Sequence, residues 1–149
     1  MLNPDFRDML SAFSDEGVEF LLVGAYALAV HGLPRATGHL DLWIRRSDEN
    51  AARVLRALSA FGAPTDRRSV SDLASADLVF QIGVTPVRID ILTSIDAVEF
   101  DQAWPNRITT SIEGLEIPVI SRVDLIRNKK ATGRLQDAAD VESLERQDG

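Results

Sequence analysis

Apolar positions recur along the chain with two periods, and the alternation between them predicts helices and strands in turn. Phe6, Met9, Leu10 and Phe13 follow Asn3-Pro4 at helical spacing. Asn caps such a helix, Pro fits its first turn, and Gly17 marks its stop. Val18 to Val23, apolar except for Glu19, has the pattern of a buried strand, and Gly24 breaks it. Ala25 to Val30 then reads as a helix of small residues ending near His31-Gly32. Leu33 to Gly38, with Pro34, is a loop, and Leu40 to Ile44 is a strand with a carboxylate embedded in it. Ser47 caps the next helix, with Val54, Leu55, Leu58 and Phe61 on one face and Gly62 after it.

In the second half the elements are shorter. Ser69 to Ala76 is a short helix or turn. Leu78 to Ile82 and Val87 to Leu92 are apolar runs joined by Gly83-Val84-Thr85-Pro86, a hairpin signal. Asp96 to Trp104 predicts a short helix. Arg107 to Ile112 and Leu115 to Ile120 flank Glu113-Gly114 as a second hairpin. Ser121 caps a helix reaching about Ala131. Arg134 to Glu145 is a last helix, with Leu135, Ala138, Val141 and Leu144 spaced for packing; Arg134, Asp137 and Asp140, three apart on it, fit a functional set and ordinary i,i+3 surface pairs equally well. Helices alternating with strands, at least two of them antiparallel, predict one α/β (α+β) domain over residues 1–149, a mixed sheet with helices against it.

Composition narrows the class. The 149 residues carry 45% hydrophobic and 26% charged side chains, the balance of a globular chain with one core. The absence of cysteine excludes disulfides, thiolate metal sites and a cysteine nucleophile, and it permits a reducing cytoplasm, the expected location. No apolar run is long enough for a membrane span, and Met1 to Met9 do not have the pattern of a secretory signal. A net charge of −7 argues against nucleic-acid binding over the whole surface. It leaves room for a local basic patch from Arg35, Arg45, Arg46, Arg67, Arg68 and Arg88.

The candidate chemistry lies in the strands. Asp41 sits inside Leu40-Asp41-Leu42-Trp43-Ile44 and Asp90 inside Ile89-Asp90-Ile91-Leu92. A charge in a core strand is costly unless it is paired or binds a metal. Alternation puts His39 and Asp41 on one face, so neighbouring strands would bring His39, Asp41 and Asp90 together. Converging carboxylates suit Mg²⁺ and the phosphates that travel with it. The plainer reading pairs each Asp with Arg45 or Arg88. Gly24-Ala25 at a strand-to-helix turn either receives a phosphate on free backbone N–H groups or simply allows tight packing. His31 reads as a structural side chain, and Trp43 as core.

Gly24-Ala25-Tyr26-Ala27-Leu28-Ala29, His31-Gly32 and then Arg35-Ala36-Thr37-Gly38-His39-Leu40-Asp41-Leu42-Trp43 resemble the polymerase-β-like minimal nucleotidyltransferases, closest to the small bacterial AbiEii-type toxins. Their pattern is Gly-Gly or Gly-Ser, then Asp-x-Asp, then a third Asp on a later strand. Leu125-Ile126-Arg127-Asn128-Lys129, Gly133-Arg134 and Asp137 to Asp140 resemble that group's C-terminal element. The resemblance runs from about Val18 to Leu144. It implies a minimal nucleotidyltransferase fold with helices mainly on one side of the sheet. It further implies transfer of a nucleotidyl group from an NTP to a hydroxyl of RNA (tRNA-like) or protein. Asp41, Asp90 and the position of His39 would hold Mg²⁺ or Mn²⁺, with Asp90 assisting deprotonation of the acceptor. Gly24, Ala25, Arg35 and Lys129 would serve the nucleotide, and an antitoxin protein is an implied partner.

Two departures stand out. Ala25 replaces the second Gly or Ser of the turn, which removes a hydroxyl but keeps the backbone. His39 stands where the first Asp belongs. A neutral imidazole suits Zn²⁺ or Mn²⁺ better than Mg²⁺, and a protonated one repels any cation. Three accounts follow: a weakened or repurposed enzyme, a site for a different ion, or an inactivating change. The loss of a hard anionic ligand points to impaired catalysis. The other reading is a catalytically silent member of the fold that binds nucleotide or protein.

Overall fold

The computed structural model describes residues 2–35, 37–65, 69–84 and 87–147. Thr85 and Pro86 of the first hairpin, Arg67, Arg68 and Ala36 lie outside them. Among the described residues the elements follow in the order α1 (Pro4–Asp15), β1 (Phe20–Val23), α2 (Gly24–Val30), β2 (His39–Ile44), α3 (Asp48–Phe61), α4 (Val70–Leu73), β3 (Val79–Val84), β4 (Val87–Leu92), α5 (Phe100–Ala103), β5 (Ile108–Ile112), β6 (Leu115–Val119), α6 (Arg122–Thr132) and α7 (Leu135–Arg146). The strands form one mixed sheet in the order β3-β4-β2-β1-β6-β5. β2 runs parallel to β4 and antiparallel to β1, and both expected hairpins are present as antiparallel pairs, β3 with β4 and β5 with β6.

The caps form as the sequence suggests. Asn3 accepts from the Asp5 amide, Ser47 from that of Asn50, and Ser121 from that of Asp124. Gly62 ends α3 in the left-handed conformation. Phe20, Leu22, Leu40, Leu42, Ile44, Ile89 and Ile91 share one face of the sheet and are all almost fully buried. α1 and α3 cover that face, with Phe13 edge-on to Phe20 at 5.2 Å. Asn50 ties α3 to the strand ends, donating to the carbonyls of Glu19 and Arg45 and accepting from the Glu19 amide. The opposite face carries His39, Asp41 and Trp43 on β2 and Arg88, Asp90 and Leu92 on β4.

Two expectations are corrected. The helix expected over Asp96 to Trp104 is only α5 followed by a 3-10 turn at Trp104–Asn106, because Ile95 and Val98 form a β-bridge first. In α7, Val141 and Leu144 pack inward, but Leu135 is 93% exposed and Ala138 also faces solvent. Asp137 and Asp140 take the inward positions instead, at 1% and 3% exposure; the i,i+3 pair of exposed Arg134 with Asp137 forms, but its carboxylate end is buried. Helical spacing fits both sets of residues. The cations waiting on the other side, Lys129 and Arg35, choose the acidic one.

Candidate functional site

The register of β2 against β4 sets the site. Asp41 lies directly opposite Asp90, and His39 directly opposite Arg88, all on the face away from α1 and α3. The convergence expected of Asp41 and Asp90 therefore occurs. Asp90 is 7% exposed and Asp41 half-buried. Burial pushes the Asp41 carboxyl up from 3.8 to about 6, helped by the charge of Asp90 and a hydrogen bond shared with it, and only partly opposed by Arg88. One proton shared between facing carboxylates is the usual outcome when two like charges meet in a partly dry site.

Gly24 is built around this pair. Val23 is the register partner of Asp41, so the chain turns from β1 into α2 beside the carboxylate. Gly24 has φ +70, and a Cβ there would lie 2.1 Å from Asp41 Oδ2. Only glycine fits. The tight packing weighed for Gly24 is thus present, and its object is the site carboxylate itself. Ala25 follows as the second residue of α2.

Arg88 closes the other side. Its Nε donates to Asp90 Oδ1 at 2.8 Å and its Nη2 to Asp90 Oδ2 at 3.1 Å, a bidentate pair; the same Nη2 lies 3.4 Å from His39 Nδ1. In the sequence Arg88 enters as a member of a possible basic patch and as the counter-ion of a plainer reading. The alternation that joins His39 to Asp41 also joins Arg88 to Asp90 and was signal enough to include it.

These donors do not fit a two-dication centre as arranged. Among the described residues no group of three or more acidic, histidine or cysteine side chains is placed to hold a metal ion. Both oxygens of Asp90 face a guanidinium, and His39 faces the same guanidinium rather than the carboxylates.

The residues expected at the nucleotide, Arg35 and Lys129, belong to a second cluster. Lys129 is 8% exposed and sits 3.0 Å from Asp137 Oδ1 and 3.1 Å from Asp140 Oδ2. Arg35, from the loop before β2, holds both oxygens of Asp140. Thr132 and Arg134 add hydrogen bonds to Asp137, the latter at 2.7 Å. Burial alone would raise both acids; the hydrogen bonds from Arg134, Thr132 and Lys129 to Asp137, and from Arg35 and Lys129 to Asp140, hold them below the ordinary carboxylate range instead. His31 is buried and bonds through Nε2 to the Ile120 carbonyl at 2.8 Å, the structural part expected of it. Trp43 is core, packed edge-on to Phe100 at 5.1 Å. A cavity of about 250 Å³ lies beyond it, past the ends of β2 and β4, lined by Arg45, Arg46, Thr93 and Glu99 among others. Its arginines already face Glu19, Asp101 and Glu99.

Comparison with known proteins supports the fold. A nucleotidyltransferase candidate from Thermotoga maritima superposes with a TM-score of 0.59 at 20% identity, over 98% of this chain and 94% of that one. An antigenic nucleotidyltransferase-like protein from Paracoccidioides brasiliensis gives 0.52 at 14% identity, over 94% and 74%. No curated protein matches the sequence. No helix among the described residues is long and apolar enough to cross a membrane. The aminoglycoside-2''-adenylyltransferase family model matches residues 5–142, and with that nearly complete match, on a nucleotidyltransferase fold, the chain belongs to that family.

Proposed function

We propose that the chain is a nucleotidyl-transfer domain that moves an adenylyl group from ATP to a hydroxyl of a small cationic acceptor, at a rate curtailed by its own site residues. One observation carries this reading: Asp41 and Asp90 face each other on parallel strands, with Asp41 braced against Gly24 at the turn into α2. Such a costly pair is kept where chemistry uses it. Asp41, with its carboxyl at about 6, is a base of suitable strength to take the proton of an attacking hydroxyl near neutral pH. The family name supports adenylyl as the group moved and an aminoglycoside-like sugar as acceptor. The net charge of −7 favours a polycation over an RNA backbone in the same role.

His39 and Arg88 support the curtailed rate. The position before Asp41 on its face lacks a carboxylate, and Asp90 is engaged by Arg88. Arg35 and Lys129 would join nucleotide binding only by sharing their charge with Asp137 and Asp140. The test is transfer of label from ATP to a panel of aminoglycosides and RNAs, with ATP binding followed by calorimetry. His39→Asp is expected to raise labelling by about tenfold or more, the effect of one positioned group in such a site, and Asp41→Asn to abolish it. Absence of both labelling and ATP binding, in the parent and in His39→Asp, sinks the reading. Growth arrest of bacteria expressing His39→Asp, without labelling of any aminoglycoside, would favour the AbiEii-type toxin role and an RNA or protein acceptor instead.

A further inference from the structure

Two carboxylates brought face to face in a half-dry site require a cation, and this chain supplies one of its own. Arg88 precedes Asp90 by one alternation of β4 and therefore shares its face. Its guanidinium meets both oxygens of Asp90, at 2.8 and 3.1 Å, in the fork geometry that planar guanidinium and carboxylate favour. The Arg88 side chain is 23% exposed and that of Asp90 10%, so the pair is largely withdrawn from screening water. His39 flanks it: its Nδ1 lies 3.4 Å from Arg88 Nη2, and as register partners the two residues lie side by side across the strands.

We infer that Arg88 is a resident counter-ion which, held by Asp90 and flanked by His39, excludes divalent cations from the Asp41–Asp90 pair. A dication entering there must break a bidentate ion pair and then sit beside the displaced positive charge. Both costs are large at the effective dielectric of a partly buried site. The site is in this way charge-compensated from within, and His39 and Arg88 act together as one device. The inference rests on reading this pair as the transfer centre, but it concerns cation affinity alone and is tested without nucleotide.

The probe is Mn²⁺, followed by electron paramagnetic resonance on the full chain at neutral pH and moderate salt. The parent protein is expected to bind Mn²⁺ no more tightly than Asp41→Asn does. Arg88→Met keeps the length of the side chain and removes its charge; it is expected to tighten Mn²⁺ by about tenfold or more, a modest part of the repulsion one charge exerts at this range. Arg88→Lys keeps the charge and is expected to stay weak, and adding Asp41→Asn to Arg88→Met should erase the gain. Should Arg88→Met not fold, the parent decides: the Arg88 Nε–H resonance is expected to be unshifted by millimolar Mg²⁺. Tight Mn²⁺ binding by the parent that Asp41→Asn removes, a folded Arg88→Met with unchanged affinity, or displacement of the Arg88 resonance by Mg²⁺ would each overturn the inference. Failure of adenylyl labelling leaves all these readouts intact, so the two proposals fail separately.

Discussion

Two buried ionic clusters among the described residues solve opposite problems. Between α6 and α7, each buried carboxylate meets more than one donor: Asp137 has Lys129, Arg134 and Thr132, and Asp140 has Lys129 and Arg35. Both acids are held below the ordinary range. Between β2 and β4, Asp41 faces another carboxylate, and its carboxyl is driven up to about 6. The first cluster joins α6 to the start of α7, where Leu135 is exposed and Asp137 and Asp140 are buried. The second works against the fold, and the surrounding sheet holds it in place. In the first cluster every carboxylate has its cations; in the second Arg88 serves Asp90, and Asp41 is left facing its neighbour.

Breaking the satisfied cluster should have the largest effect. Lys129→Met leaves two buried carboxylates without their shared cation and is expected to cost about 3–5 kcal/mol, read as a fall in urea midpoint at constant slope. A cost below about 1 kcal/mol would mean that the helix pair does not depend on charge.

Next comes the contact that braces the unsatisfied cluster. Gly24→Ala drives a Cβ into Asp41 Oδ2 and strains a positive φ, for an expected loss of about 2–3 kcal/mol. In an Asp41→Ala background the same change should cost only about 1 kcal/mol, the backbone share. Equal costs in the two backgrounds would show that the carboxylate is not what excludes a side chain at position 24.

The smallest effect has the opposite sign. Asp41→Asn should stabilise the fold by about 1–2 kcal/mol at pH 7, a discounted share of the shift. A carboxyl raised in the folded state binds more protons there than when unfolded. Stability from this group is therefore greatest below pH 3.8 and declines as pH rises towards about 6. Asp137 and Asp140 act the other way: their stabilisation is present above the ordinary carboxylate range and fades as pH falls through their lowered values. Urea titrations of parent and Asp41→Asn between pH 4 and 7 should thus diverge as pH rises, and parallel curves would refute the raised carboxyl.

Much of this was legible in the sequence, for physical reasons. A charge inside Leu40-Asp41-Leu42 or Ile89-Asp90-Ile91 is conspicuous because burial makes it costly, and the two-residue period then assigns its face. Caps and hairpins followed from local chemistry. What did not follow were relations set by register and by helix pairing. The contact of Gly24 with Asp41 depends on the pairing of Val23 with Asp41 across β1 and β2. In α7 a hydrophobic spacing, Leu135 to Leu144, competes with an acidic one. Only the position of Lys129 on the neighbouring helix decides between them.

The fit of Gly24 against Asp41 has a consequence for how such a chain can diverge. While the carboxylate is present a Cβ at position 24 requires Asp41 to move, so a change at either position is felt at the other.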